Sequence, residues 1–447
     1  MNFQKLLKIF ADKGCRKIYA KWLSPNDNSK NQVYLAGSFD VLNIFPIHEI
    51  ITDTDGERRS ATFKTKVDFF WVTDEGVLLY ASNAQFILYP EYPEVRFSGF
   101  LMNVKGGPSE LMRSRTDKRL LFMGVTDDGK IIGYVVAPES ELANDFRTIT
   151  NLPDFGVFKE ITLEGAFIEL NSKQKLLDEL KRIHHLGWID SKRLDKNKEV
   201  LPCSSSNCGG YTLEAELGIT PNGYSEPDYL GWEVKQFAVT NFEKYNSSII
   251  TLMTPEPTHG YYVDFGIESF IKKYGYEDKL GRQARLNFGG VHKYDKITNS
   301  TSLKLILEGF NIDTGNIQDI KGYIGLIDLK ENIAASWSFE SLLKHWNRKH
   351  ANACYVPSRN RKDAELFTFS KQQYYYGDKI IMGSSTDFTL FLKEIAKGNI
   401  YYDPGIKLEL AIDGVRKQNI KRRSQFRIKS SNLKSLYKKN ELIDINA

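Results

Sequence analysis

The chain has no long hydrophobic run, no internal repeat, no low-complexity tract and only four cysteines in 447 residues. Each absence removes a class of protein. A membrane-spanning helix needs about 20 apolar residues in succession, and none are present. The N-terminal MNFQKLLKIFADKG has charges interrupting its apolar positions, so it reads as an amphipathic helix and not as a signal peptide. Cys15, Cys203, Cys208 and Cys354 are too few to staple a chain this long. Cys203 and Cys208 have neither a second cysteine pair nor a nearby histidine, which makes them a poor match to zinc-ligand spacing. Four free thiols then imply a reducing compartment and a cytoplasmic protein. A dominant charge is also missing: the net charge of +5 says little about partners.

What is present is ordinary globular composition, with 41% hydrophobic and 26% charged residues and length enough for two or three domains. Residues 1–165 read as mainly β. KIYAKWL, QVYLAG, FDVLNIFP, ATFKTKVDFFWV, AQFILY and EVRFSGFL are strand-like. SPNDNSKN is a polar loop, and LLFMGVTDDGKIIGYVV is the clearest hairpin. PESELANDF and NLPDFG read as a join. From residue 173 the pattern turns helical, with Leu176, Leu177, Leu180 and Ile183 on one stripe. Residues 166–447 then mix helices and strands into an α/β domain.

The stretch SEPDYLGWEVKQF, residues 225–237, carries the chemistry. Pro227 and the turn-forming segment precede Asp228, and Glu233 and Lys235 fall two apart on a short strand, on one face. Two carboxylates near one point suit a hard cation such as Mg2+, and a neighbouring ammonium positions a water. Acid-x-Lys triplets also occur at Asp190, Glu277, Asp319 and Asp328, so the pattern alone is weak. The Asp328 triplet, in GYIGLIDLK, is the main rival, and its plainer reading is a strand ending in solvated charge. Asp228 upstream, and Glu214 in GGYTLEAELGI on a helix after a glycine-rich loop, favour Glu233.

Two resemblances extend this reading. KWLSPNDNSKNQVYLAGSFDVLNIFP resembles the opening of the DNA-binding pseudobarrel of EcoRII-type effector domains, and EVRFSGF resembles that family's second recognition arm. The resemblance implies that Asn31 and Gln32 on one arm and Glu94 and Arg96 on the other read DNA; the plainer alternative is a turn and a surface strand. From residue 173 to 443, LLDELKRIHHLGWI, GGYTLEAELG, EPDYLGWEVK, ITLMTPEPT, IKKYGYED, ASWSFESLL and FRIKSSNLKSL resemble, in the same order, the MvaI/BcnI restriction endonucleases, relatives of the MutH nicking enzyme. This implies a restriction-endonuclease-like PD-(D/E)xK domain acting on double-stranded DNA as a monomer. Asp228, Glu233 and the Val234 carbonyl would be the Mg2+ ligands, Lys235 the catalytic lysine and Glu214 the supporting acid.

Arg427 matches a base-contacting arginine of that family. The family's partner arginine corresponds to Ala411, which leaves Arg416 or Arg422 to substitute. Arg282, Arg285 and His292 lie in a segment resembling a DNA-facing loop, or else supply only phosphate contact or surface charge. The N-terminal domain would either hold a second, effector copy of DNA or help to read the target. Competing readings are a MutH-like strand-nicking repair enzyme and a DNA-binding regulator without cleavage.

Overall fold

Helix α1 (Phe3–Asp12) opens the chain, with the Asn2 side chain accepting from the Lys5 N–H and Leu6 and Phe10 buried one turn apart. The computed structural model describes residues 1–25, 32–53, 61–91, 93–149, 152–163, 172–205, 207–220, 228–243, 248–362, 369–412 and 417–447. It divides into two compact units, Met1–Gln174 and Lys175–Ala447. Asn31, Pro227 and Arg416 lie outside the described residues.

The first unit is built on two sheets. In one, β1 (Cys15–Leu23) is central and pairs antiparallel with Arg119–Thr126 and Phe158–Thr162. Arg119–Thr126 continues into Lys130–Val136 through the TDDG turn, where Gly129 takes φ 81° and the Thr126 hydroxyl accepts from the Lys130 N–H. In the other sheet, β2 (Gln32–Ala36) pairs with β3 (Glu94–Ser98), and Gln85–Tyr89, Thr62–Lys66 and Ile50–Asp53 follow in order. The core of this unit gathers Leu6, Phe10, Ile18, Leu120, Phe122, Ile132 and Phe146. Two local expectations fail. FDVLN is a 3-10 turn, with the adjacent Val41 and Leu42 both buried and not alternating as a half-buried strand would. SELANDF holds a helix, Glu141–Thr148, capped by the Ser140 hydroxyl on the Ala143 N–H.

Helix α2 (Ser172–His185), all but its first three residues in the second unit, buries Leu176, Leu180 and Ile183. Next come helix α3 (Cys208–Glu216), strand β4 (Glu233–Ala238), β5 (Ile249–Met253) and helix α4 (Phe339–His350), which is capped by the Ser338 hydroxyl on the Ser341 N–H. After α4, β6 (Asn352–Lys362) is the spine of a six-stranded sheet. It pairs with β4 in parallel, and antiparallel with Gln372–Tyr376 and Lys379–Thr386. Smaller sheets are built around Phe426–Lys429, Arg285–Gly289 and Tyr323–Ile327.

The four cysteines are not all free. Cys203 forms a disulfide with Cys208, the first residue of α3, while Cys15 and Cys354 are buried thiols. The loop between the two residues folds back far enough to bring their Cα atoms to 5.7 Å, so the inference of a reducing compartment from four free thiols loses its premise. Among the described residues no helix is long and apolar enough to cross a membrane.

Candidate active site

A two-residue turn sets the site. Leu230 (φ 47°) and Gly231 (φ 84°) both occupy the left-handed region, and Tyr229 and Trp232 exchange backbone hydrogen bonds of 2.9 and 2.8 Å across them. That is the geometry of a tight hairpin of the primed type, and continuing its pairing sets Asp228 opposite Glu233. The Val234 N–H donates to Asp228 Oδ2 at 3.2 Å, which ties that carboxylate to the start of β4.

Along β4, alternation turns Glu233 and Lys235 to one face. Lys235 Nζ donates to Glu233 Oε1 at 2.6 Å, with the two side chains 17% and 3% exposed. The other oxygen, Glu233 Oε2, is buried and has no hydrogen-bond partner among the described residues. An acceptor left in that state costs about 1–3 kcal/mol.

Helix α3 brings Glu214. It lies close to β4 because Gly209 lacks a Cβ; one there would meet Gln236 Oε1 at 2.7 Å and Tyr374 Cε1 at 3.0 Å. The helix's other acid, Glu216, is held by Lys192 at 2.6 Å and Arg182 at 3.5 Å. The Glu214 carboxylate makes no hydrogen bond or ion pair among the described residues, while its backbone carbonyl accepts from the Ile219 N–H at 2.8 Å.

The acids feel one another. Burial, and after it the Asp228 charge, pushes Glu214 up to about 7, while burial and then Glu233 push Asp228 up to about 6. Glu233 moves the other way. Its deep burial acts to raise it, but Lys235, His350 and Lys349 together outweigh that and hold it below the usual carboxylate range. His350 is itself uncharged at neutral pH, because complete burial drives it down to about 3. The lysines are therefore the effective cations.

Sequence reasoning did not find Lys349 or the buried polar group near it. Lys349 Nζ lies 4.0 Å from Glu233 Oε1. His350, at the end of α4, bonds the Leu252 carbonyl through Nε2 at 3.1 Å and the Tyr437 hydroxyl through Nδ1 at 3.3 Å, and Tyr437 bonds Tyr355 at 2.7 Å. No short-range spacing links these residues to the hairpin. The rival acid Asp328 closes a hairpin turn instead, accepting from the Lys330 and Asn332 N–H groups.

Among the described residues no group of three or more His, Cys, Asp or Glu side chains is gathered tightly enough to hold a metal ion. Asp228 and Glu233 supply two carboxylates, and Oε2 is an open acceptor. Mg2+ is commonly held by one or two carboxylates and keeps several waters, so these donors fit a hard divalent cation.

The candidate DNA contacts separate into groups. In the first unit Gln32, Glu94 and Arg96 come together: Arg96 bonds Glu94 at 2.8 Å and Gln32 at 3.5 Å across β2 and β3. In the second, Arg282 and Arg422 are exposed. Arg285 is held between Asp278 (3.4 Å) and Glu409 (3.7 Å), and Arg427 by Asp403 (2.7 Å). His292 is a correction. It is fully buried, stacked on Phe288 and bonded to Thr301, and has no surface to offer DNA.

The second unit has a restriction-endonuclease fold, and its hairpin, helix and lysines make a polar centre at the edge of the main sheet. Residues 177–437 match the MvaI/BcnI restriction endonuclease family, and the chain belongs to that family. It is accordingly a type II site-specific deoxyribonuclease. A solved complex of restriction endonuclease MvaI with its cognate DNA substrate is similar at 18% identity and TM-score 0.44, over 60% of this chain and 97% of that one. MvaI without DNA is similar at 18% identity and TM-score 0.32, over 61% and 97%. No curated protein matches the chain.

Proposed function

We propose that the protein is a Mg2+-dependent restriction endonuclease that cuts both strands of foreign double-stranded DNA, working as a monomer. Its cleavage centre is a PD-(D/E)xK site in which Asp228 and Glu233, with the Val234 carbonyl, hold the cation, Lys235 is catalytic and Glu214 is the supporting acid. The observation that carries this reading is the hairpin that sets Asp228 beside Glu233, with Lys235 on Oε1 and Oε2 left unpaired. Residues 166–447 form the nuclease domain. Residues 1–165 form a DNA-binding pseudobarrel that acts as an effector or specificity module, with the Gln32, Glu94 and Arg96 cluster as its reading group.

When bound, the divalent cation supplies Lewis-acid polarisation of the phosphate and lowers the pKa of water. The rest is done by side chains. Glu233 fixes the Lys235 ammonium through Oε1, and Lys235 orients the attacking water and offsets the charge that grows on the phosphate in the transition state. Glu214, close enough to feel the Asp228 charge, adds to the negative field that draws the cation in. Arg282 and Arg422 contribute phosphate contacts, which position the duplex without reading it.

Digestion of unmethylated phage DNA by the full chain with Mg2+, beside Lys235→Ala, tests this directly. Discrete Lys235-dependent fragments with a common end sequence are expected, and supercoiled plasmid should proceed to linear. Arrest at the open circle would indicate a strand-nicking repair enzyme. No cleavage of any DNA, with or without added duplex activators, would leave a DNA-binding regulator.

A further inference from the structure

Lys349 is not accounted for by folding. It lies at the penultimate position of α4, half-buried at 29% exposure, and among the described residues its one ion partner is Glu233 Oε1 at 4.0 Å. That distance is beyond a hydrogen bond, and the same oxygen already accepts from Lys235 at 2.6 Å. A second ammonium there adds little stability, because partly exposed ion pairs contribute about 0–1 kcal/mol.

Its position is nevertheless firmly set. The next residue, His350, is anchored by Leu252, Tyr437 and a stacked Trp346 ring at 4.2 Å. Two residues further on, β6 begins, and its Ala353 is in register with Glu233. The end of α4 is thus fixed against the start of β4, and its C-terminus favours a cation.

Charge balance gives this placement a purpose. With the three carboxylates ionised, Lys235 and one divalent cation bring the pocket only to neutrality. A neutral pocket has no net attraction for an incoming phosphodiester, and Lys349 supplies the surplus positive charge.

We propose that Lys349 is a second catalytic lysine, whose ammonium contacts a nonbridging oxygen of the scissile phosphate. This rests on Asp228, Glu233 and Lys235 being the cleavage centre. In the Michaelis complex the Lys349 N–H groups donate to phosphate, and the bond strengthens as charge builds on those oxygens during attack.

The test uses the full chain with Lys349→Met, which keeps the side-chain stem, Lys349→Arg, which keeps the charge, and Lys235→Ala. Three quantities are measured: single-turnover cleavage at saturating DNA with Mg2+, metal-free DNA affinity against salt in EDTA, and melting temperature. Lys349→Met should cut the rate about 100-fold or more, as loss of one transition-state donor does. It should lower the salt slope of metal-free binding by about one phosphate contact, and leave melting within a few degrees of wild type. Lys349→Arg should recover part of the rate. A wild-type rate in Lys349→Met, or a rate loss with an unchanged salt slope and no recovery by arginine, overturns the proposal. If Lys235→Ala cleaves like wild type, the cleavage centre itself is misassigned. Loss in Lys235→Ala with full rate in Lys349→Met rejects the role of Lys349 alone.

Discussion

Asp228→Asn should make the metal-free protein more stable and inactive at once, and the size of the effect should depend on pH. Burial, and after it the charge of Glu233, raises the Asp228 carboxyl from an ordinary 3.8 to about 6. The folded state therefore holds this proton more tightly than the unfolded chain. Stability from the group is fully present below about pH 4 and is lost as pH rises through about 6. Two pKa units correspond to about 3 kcal/mol of cost at neutral pH and above, an order-of-magnitude figure. Asparagine removes the ionisation, and its side-chain oxygen can still accept from the Val234 N–H. In EDTA at pH 8 the variant should melt several degrees above wild type, and at pH 5 the gap should shrink by about half. Added Mg2+ should narrow the gap at pH 8 by stabilising wild type alone, while cleavage by the variant stays absent. A variant that melts below wild type at pH 8, or by an equal margin at both pH values, would refute the reasoning.

Other outcomes follow from single features. Gly231→Ala places a side chain at φ 84° with nothing within 4 Å of its Cβ, so its cost is backbone strain of about 1–2 kcal/mol. Melting should fall by a few degrees and cleavage tenfold or more, because the turn that aligns Asp228 with Glu233 tilts. Reducing the Cys203–Cys208 disulfide reopens a short loop and should cost about 2 kcal/mol on the chain-entropy account, visible as lower melting with dithiothreitol. Arg96→Ala leaves Glu94 without its ion-pair partner. If Arg96 reads a base, DNA binding by the full chain should weaken by about 1–3 kcal/mol and discrimination at one base pair should relax; uniform weakening across sequences would assign it to phosphate. Glu216→Gln breaks pairs with Lys192 and Arg182 on the helix that carries Glu214, and should lower melting more than it lowers the cleavage rate.

The parts of the fold that sequence revealed are those decided within a few residues. The TDDG hairpin was legible because Gly129 supplies the positive φ and Thr126 the side-chain bond that such a turn requires. The α2 helix was legible from its apolar stripe, and Leu176, Leu180 and Ile183 are buried along it. FDVLN misled because a run of apolar residues buries equally well as a compact turn. The disulfide was missed because spacing alone cannot say whether a loop folds back far enough to bring two Cα atoms within 5.7 Å. His292 looked like a loop residue among arginines, and only packing against Phe288 and Tyr402 reveals it as core.

The same division runs through the candidate site. Asp228, Glu233 and Lys235 lie within one hairpin, so spacing and turn chemistry suffice to bring them together. Lys349 comes from a helix far downstream, and its place depends on the parallel register that sets Ala353 beside Glu233 and on the anchoring of His350. A one-residue slip of β6 would turn alternate side chains to the other face and carry the end of α4 about 3 Å along the sheet. The deep burial of Ala353, Cys354, Tyr355 and Val356 resists that slip, since every one of them would exchange its packing partners. The core of the sheet thus does more than stabilise the unit: by fixing register, it sets the distance from the second lysine to the carboxylate.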